Sequence, residues 1–265
     1  MKLKISHTTT YSYDAPVNYG LQQLRLTPVS SPQQRVLDWS VAIDGGAPEL
    51  TFNDQYKNHT TLVQVNTGTT SVAVTASGEV ETLCSDGVLG KVYGAAPLWH
   101  FLQDTPRTTA GRNVKTLAKT VQTGDAALTS LHTLSAQIIE AVPYGLAQTD
   151  AATTAEDAFL AGKGVCQDHA QIFIAAARHA GVPARYVSGY LMMNDRVDQD
   201  ASHAWAEAHV DGLGWVGFDI SNGISPDERY VRMATGRDSR DAAPITGMRV
   251  GAGLESMIVS LQVQQ

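Results

Sequence analysis

The clearest structural signal in the sequence is a helix between Gly164 and Gly181. Glycine precedes this helix and Ala, Ile and Phe fill it, while Gly181 and Pro183 end it, because glycine favours helix ends and proline cannot continue a helix. Strand-like segments follow at 184–192, 201–210 and 214–220. One long helix followed by short strands predicts an α+β core in the second half of the chain.

The first part of the chain has a different pattern. Up to about residue 83, short alternating segments end in Pro, Asn or Gly, which is typical of strands joined by tight turns. We therefore predict a β-rich, sandwich-like domain over 1–90. The rest, 91–265, is predicted to hold a helical segment and the α+β core, with helices near 112–122, 125–142 and 154–161.

Composition excludes several classes of protein. Hydrophobic residues make up 43% of the 265 residues, which is ordinary for a globular protein and unlike a disordered one. The net charge is −7 and no Lys/Arg cluster occurs, so binding to nucleic acid or to an anionic membrane is not expected. The polar, strand-like first residues predict no secretory signal and therefore a cytoplasmic protein, with oligomeric state open.

Of the two cysteines, Cys166 has the more informative position. It lies in the first turn of the predicted helix, where free N–H groups and the positive end of the helix dipole favour a thiolate over a thiol. The alternative is a small buried residue at a tight helix start, and a buried residue is also the interpretation favoured for Cys84. Two thiols cannot form a four-thiolate zinc site, and we expect no metal and no cofactor.

A thiol nucleophile needs a base and a group that orients the base. The segment Ser202–Val210 alternates small residues with His203, Trp205, Glu207 and His209, and the following Trp215–Asp219 predicts the partner strand of a hairpin. His203 faces Asp219 directly if the hairpin is centred on Asp211, which requires an odd loop of about three or five residues. A core histidine and an aspartate that caps a turn are the alternative.

Four segments together resemble the transglutaminase-like superfamily, and most closely its bacterial branch, in which a β-rich domain precedes the core. They are Gly164-Val-Cys-Gln-Asp-His-Ala, Arg178-His-Ala-Gly-Val-Pro-Ala-Arg-Tyr-Val-Ser-Gly-Tyr190, Ser202-His-Ala-Trp-Ala-Glu and Gly214-Trp-Val-Gly-Phe-Asp219. The resemblance covers about 144–223 strongly and the first region more loosely. One departure is Ile220-Ser-Asn222, where the family usually has Pro-Thr-Asn.

The resemblance implies a papain-like transglutaminase core of the α+β class, with the cysteine helix packed on an antiparallel sheet and a β-sandwich-like domain in front. It also implies that Cys166 is the nucleophile, His203 the base and Asp219 the third member of a catalytic triad. Such an enzyme attacks amide or peptide carbonyls and forms an acyl-enzyme. Water then gives hydrolysis, which we favour, and an amine gives transglutamination. The alternative is a non-catalytic module that binds a peptide or partner through a vestigial site.

Four further residues are candidates for supporting roles. Asp168 either stabilises the helix dipole or holds a neighbouring loop. Trp205 and Tyr190 either line the acyl site or pack in the core. Tyr144 either donates to an oxyanion or lies on the surface, and the backbone N–H of Cys166 is the expected oxyanion donor.

The segment 194–200 is an acidic loop directly before His203. It predicts either a solvated hairpin tip or a rim that attracts cationic or amine substrates. A calcium site is not expected, because the loop lacks the glycine around which calcium loops are built. A metal pair of Cys166 and His169 is not expected either, since no further ligands are evident. The expected partners are a protein or peptide acyl donor and, for transfer, an amine acceptor.

Overall fold

The computed structural model describes residues 1–91, 96–146 and 149–265. Its first strands are β1 (Lys2–Tyr13), β2 (Tyr19–Thr27), β3 (Gln34–Asp44), β4 (Gly46–Asn53), β5 (His59–Val65), β6 (Ser71–Thr82) and β7 (Val88–Gly90). The helices are α1 (Arg112–Ala118), α2 (Ala127–Ala141), α3 (Ala155–Ala161) and α4 (Cys166–His179), with short 3-10 helices at Leu98–Leu102 and Gly124–Ala126. The later strands are β8 (Ala184–Leu191), β9 (Asp198–Gln199), β10 (His203–Val210), β11 (Gly214–Phe218), β12 (Tyr230–Gly236), β13 (Ile245–Val250) and β14 (Glu255–Gln264).

The predicted β-sandwich-like domain is confirmed. One sheet has the strand order β3-β6-β1-β14-β9 and the other β13-β2-β5-β4. Alternate residues of β1, such as Leu3 and Ile5, share a buried core with Val74 of β6 and with Leu24 and Val63 of the second sheet. The period-two pattern of the sequence therefore reflects strands with one buried face.

The predicted α+β core is also confirmed. A third, antiparallel sheet has the order β12-β8-β10-β11-β7, and α4 packs on it. Ala204, Ala206 and Ala208 of β10 belong to the same hydrophobic core as the buried residues of α4, such as Phe173. Small side chains on this face let the helix approach the sheet closely, and the start of α4 with Cys166 lies beside the start of β10 with His203.

The three other predicted helices, α1, α2 and α3, are present and pack against α4. α2 buries Leu131, Leu134 and Ile138 at three- and four-residue steps. At α3 the side chain of Thr154 caps the helix, accepting the backbone N–H of Asp157 at 3.2 Å. Strand β12 was not predicted, because it lies within the polar sequence segment 227–247.

The domain boundary at residue 90 stays a prediction, but strands from each part of the chain pair within the sheets of the other part. β13 and β14, from the end of the chain, pair with β2 and β1, while β7 from the first part joins the sheet under α4. In the described part of the chain, no helix is long and apolar enough to cross a membrane.

Candidate active site

Cys166 is the first residue of α4 and lies partly buried beside a cleft. The start of the helix is fixed by Asp168, which is fully buried. Its Oδ2 accepts the backbone N–H of Val165 at 2.8 Å and the hydroxyl of Thr149 at 2.6 Å. Asp168 therefore both caps the start of α4 and holds the neighbouring loop.

His203 and Asp219 form the central contact of the site. His203 Nε2 lies 2.6 Å from Asp219 Oδ2, and the aspartate is fully buried. Because Nε2 is engaged, Nδ1 is the ring nitrogen left for the thiol of Cys166, which lies close enough to raise the pKa of the imidazole. The structure therefore brings together the three residues that the sequence singled out.

The electrostatics of this contact favour a charged imidazole. Burial lowers the pKa of His203, but hydrogen bonds and charges from Asp219 and Cys166 outweigh it and raise the pKa to about 10. Burial raises the pKa of Asp219, and its hydrogen bonds, first with His203, outweigh burial and hold that pKa below its usual value. At neutral pH the site therefore holds an imidazolium against a carboxylate.

The hairpin register corrects one detail of the sequence analysis. Val210 pairs with Gly214 and Ala206 with Phe218, so the loop has three residues and is centred on Gly212 rather than on Asp211. The odd loop keeps His203 and Asp219 on one face, as expected. If this register is continued by one residue pair, however, Asp219 lies opposite Trp205. His203 is then the diagonal neighbour of Asp219 and does not lie directly across from it.

Two donors to Asp219 were missed by sequence reasoning. The hydroxyl of Tyr230 donates to Oδ2 at 2.6 Å, and Asn222 Nδ2 donates to the same oxygen at 2.7 Å. Asn222 could have been found, because it matches the asparagine of the family's Pro-Thr-Asn segment. Tyr230 gave no such signal, since it comes from the unpredicted strand β12.

The indole ring of Trp205 packs beside the imidazole of His203. Its ring lies nearly parallel to that of His203, with centroids 6.3 Å apart, and the ring of Tyr230 meets Trp205 edge-on at 5.5 Å. Trp205 is 3% exposed and packs with Val187 and Leu191. Of the two roles considered, the contacts of Trp205 match packing rather than lining an acyl site.

Tyr190 does not lie at the site, which corrects the suggestion that it lines the cleft. It is buried in the core of the sandwich, and its hydroxyl hydrogen-bonds to His7 Nδ1 at 2.9 Å. Tyr186 lies four residues earlier on the same face of β8, and this tyrosine lines the cleft instead. Beyond Tyr186 the strand passes under β1 and β3, which cover Tyr190.

The cleft beside Cys166 has a volume of about 610 Å³. Tyr144 lines it and is 55% exposed. Burial and the nearby Cys166 raise the pKa of the Tyr144 phenol, so this hydroxyl stays protonated and can donate. Its role as an oxyanion donor remains a prediction. The cleft is large enough for a peptide segment.

His169 ties the residues after Asp219 to the helices. Its Nδ1 lies 2.7 Å from the hydroxyl of Ser221 and its Nε2 lies 2.8 Å from the carbonyl of Val142. Since a carbonyl only accepts, Nε2 carries the proton and Nδ1 accepts from Ser221. Both ring nitrogens are engaged, so neither is free to bind a metal together with Cys166.

Glu207 lies behind the site in a buried ion network. Its Oε2 accepts Arg185 Nε at 2.6 Å and Arg232 Nη2 at 2.9 Å. Burial raises the pKa of Glu207, but the two arginines outweigh it and keep that pKa low. The guanidinium of Arg185 also stacks on Trp215 at 3.9 Å. Glu207 is thus paired with two arginines inside the sheet that carries His203.

The expectation for Cys84 was wrong. This residue is exposed just after β6 rather than buried. A backbone hydrogen bond at Asp86 lowers the pKa of the Cys84 thiol, but desolvation and the carboxylates of Glu228 and Asp86 together raise it. Cys84 is therefore an accessible thiol for which we expect low reactivity, which makes it an internal reference for Cys166.

The fold and this site define a cysteine-based enzyme, and comparison with known proteins gives the same class. The description "Transglutaminase-like superfamily" matches residues 115–220, which include Cys166, His203 and Asp219. The description "Bacterial transglutaminase-like N-terminal region" matches residues 3–81. The chain belongs to the transglutaminase-like superfamily.

Relatives of known sequence and structure match the whole chain. An uncharacterized protein of Mycobacterium leprae is 26% identical over 275 residues, covering 99% of this chain and 98% of its own. An uncharacterized protein of Mycobacterium tuberculosis is 26% identical and covers 99% of this chain and 91% of its own. The crystal structure of "a Putative Cysteine Protease from Cytophaga hutchinsonii" superposes with a TM-score of 0.80 at 23% identity, covering 100% of this chain and 90% of the other. This likeness shows the fold.

Proposed function

We propose that the protein hydrolyses amide or peptide bonds, with Cys166 as nucleophile, His203 as base and Asp219 as the carboxylate that orients His203. The observation that carries the proposal is the 2.6 Å contact between His203 Nε2 and Asp219 Oδ2, which leaves Nδ1 for the thiol. A base held by a third group is what activates a thiol nucleophile. The expected acyl donor is a protein or peptide.

The chemistry follows from the charges at the site. With the pKa of His203 at about 10, the imidazolium at neutral pH stabilises a thiolate beside it. The thiolate attacks the carbonyl carbon, and the oxyanion is received by the N–H groups of Cys166 and Gln167, which as first residues of a helix have no partner within it.

Two proton transfers complete the cycle. When the C–N bond breaks, the imidazolium gives its proton to the leaving amine, and an acyl-thioester remains on Cys166. The neutral imidazole of His203 then removes a proton from water, whose oxygen attacks the thioester. The carboxylic acid leaves, and the thiolate and imidazolium are restored.

Hydrolysis is favoured over amine transfer by access of water to the cleft. Tyr144 and Leu146 at its mouth are 55% and 72% exposed, so the acyl-thioester would form where water is abundant. Amine transfer needs an acceptor that outcompetes water, which a dry, enclosed site provides. A cytoplasmic location suits the proposal, because a reducing compartment keeps a nucleophilic thiol free.

The second candidate is a module that binds a peptide in the cleft without chemistry. The cleft volume of about 610 Å³ would serve it equally well. We favour the enzyme because a buried carboxylate with three donors, aligned on an imidazole, has no evident use in binding alone.

The test is turnover of peptides that contain glutamine or other amide donors, with the products identified by mass spectrometry. Wild-type protein should release ammonia or amine and form the acid, and an added primary amine should be incorporated in only a minor fraction of product. Cys166→Ala and His203→Gln should each lose about a thousandfold or more, and the double variant should be little worse. Cys84→Ala, at the second thiol, is the control and should keep full activity. Full activity in Cys166→Ala would overturn the proposal.

A further inference from the structure

The charge inside the cleft opposes the charge of the protein as a whole. The chain carries a net charge of −7. Among the described residues, however, the cleft beside Cys166 is lined by three arginines, Arg107, Arg196 and Arg240, and by one carboxylate, Asp200. The acidic loop 194–200 thus contributes Arg196 as well as Asp200, and the cleft is not the acidic rim considered from the sequence.

Two of these arginines have no carboxylate partner. Arg196 lies 3.8 Å from Asp195, but Arg107 and Arg240 form no salt bridge with any described residue. Arg107 is held by its Nε, which donates to the carbonyl of Ala151 at 3.0 Å, and its two terminal amino groups donate to no described residue. Arg107 and Arg240 are therefore the cations able to receive a ligand.

The segments that carry the two arginines are both attached to α4. Gln171 links the two segments that carry them, since its Nε2 donates to the carbonyl of Thr153 and its Oε1 accepts the hydroxyl of Ser239 at 3.1 Å. Thr153 belongs to the loop that holds Arg107, and Ser239 directly precedes Arg240. Both arginines line the cleft, and this tether joins the segments that carry them, whereas Arg196 lies near Tyr144.

The acidic residues beside these arginines are engaged in their own turns, although Arg107 is near enough to Asp150 to lower the pKa of that carboxyl without forming a salt bridge. Asp238 is 4% exposed, and its Oδ1 accepts the backbone N–H groups of Arg240 and Asp241, so it serves the turn. Asp150 is engaged in the same way, accepting the backbone N–H of Ala152 at 2.8 Å and the hydroxyl of Thr153 at 3.1 Å.

The floor of the cleft holds a second, independent feature that points to a ligand. Tyr186 lines the cleft and is only 4% exposed, yet its hydroxyl has no hydrogen-bond partner among the described residues. It lies close enough to Cys166 to be affected by its charge. The hydroxyl itself is not sealed from solvent, so it faces the cleft and can donate a hydrogen bond to a bound group.

We propose that the cleft selects an acyl donor that carries a carboxylate close to the scissile amide, received by Arg107 and Arg240 and by the hydroxyl of Tyr186. This proposal rests on the proposed function and names its substrate class: acidic peptides. Arginine suits this task because its planar fork can donate two parallel hydrogen bonds to a carboxylate. A lysine at the same position of the substrate would meet two like charges.

The test separates binding from chemistry. Fluorescein-labelled peptides Ala-Ala-Gln-Xaa-Ala-Ala and Ala-Ala-Xaa-Gln-Ala-Ala, with Xaa as Glu, Gln or Lys, are bound to the Cys166→Ala protein, and binding is followed by fluorescence anisotropy. In one of the two positions, the Glu peptide should bind about tenfold more tightly than the Lys peptide. The preference should shrink at high salt, because exposed charges are screened. The same peptides are then offered to the protein with Cys166 intact, and kcat/KM should follow the same order.

Charge-neutralising variants assign the preference to its residues. Arg107→Gln and Arg240→Gln should each reduce the ratio of Glu to Lys binding, and the double variant should bring it close to one. Arg35→Gln is the matched control, because this exposed arginine of β3 pairs with Glu81 and does not line the cleft. This variant should keep the wild-type ratio of Glu to Lys binding.

The outcomes are distinct. Equal binding of the Glu and Lys peptides at both positions, or a preference that survives in the double variant, overturns the acidic-donor proposal. A preference in binding without any turnover supports it while contradicting the proposed hydrolysis.

Discussion

Tyr230→Phe tests how the site holds its histidine, since it removes a single oxygen atom. That oxygen donates to Asp219 Oδ2 at 2.6 Å, and Asp219 is fully buried. A hydrogen bond to a charged group contributes about 1.5–3 kcal/mol. Because His203 and Asn222 still donate to the same oxygen, we expect the lower end, a loss of about 1.5 kcal/mol in the free energy of unfolding. If the imidazolium is held less firmly by the same amount, kcat/KM falls about tenfold.

Urea unfolding followed by tryptophan fluorescence measures the stability, and peptide turnover measures kcat/KM. Loss of a donor also raises the pKa of Asp219 towards its ordinary value, so the acid limb of the activity profile should move to higher pH. Tyr19→Phe is the control, because Tyr19 is an exposed tyrosine in β2. A Tyr230→Phe protein that matches wild type in stability, kcat/KM and acid limb would refute the positioning role.

Two further predictions concern stability. Glu207→Ala should cost about 3–5 kcal/mol in urea unfolding, because it leaves Arg185 charged and buried without its carboxylate; a loss below about 1 kcal/mol would contradict this. Since the pKa of His203 is raised from 6.5 to about 10, the stability that it contributes should be complete below about pH 6.5 and be lost as the pH rises through 10. Urea unfolding of wild type and His203→Gln at several pH values checks the sign, and a difference that grows with pH would contradict it.

The parts of the site that could be predicted are those coded by local sequence. The glycine, cysteine and alanine pattern fixes α4 and places Cys166 at its start. The alternation of β10 and an odd loop fix His203 and Asp219 on one face. Each of these inferences uses only neighbours in the chain or across one hairpin, where residue spacing determines direction.

The parts that could not be predicted depend on elements distant in sequence. Tyr190 has the same orientation on β8 as Tyr186, but β1 and β3 cover it, and nothing near residue 190 indicates this. Tyr230 reaches Asp219 only because β12 pairs with β8 beside β10. Arg185 and Glu207 likewise meet across two strands. Such contacts follow from the order of strands in a sheet, which local patterns do not determine.

The central claim is that Cys166 is an activated nucleophile, and alkylation by iodoacetamide tests it most directly. Rates at Cys166 and Cys84 are read separately by peptide mass spectrometry between about pH 5 and 9. Cys166 should react many times faster at about pH 6 and lose this advantage in His203→Gln, while Cys84 should react appreciably only above about pH 8. Equal rates at the two cysteines, both rising only in alkaline solution, would contradict the account.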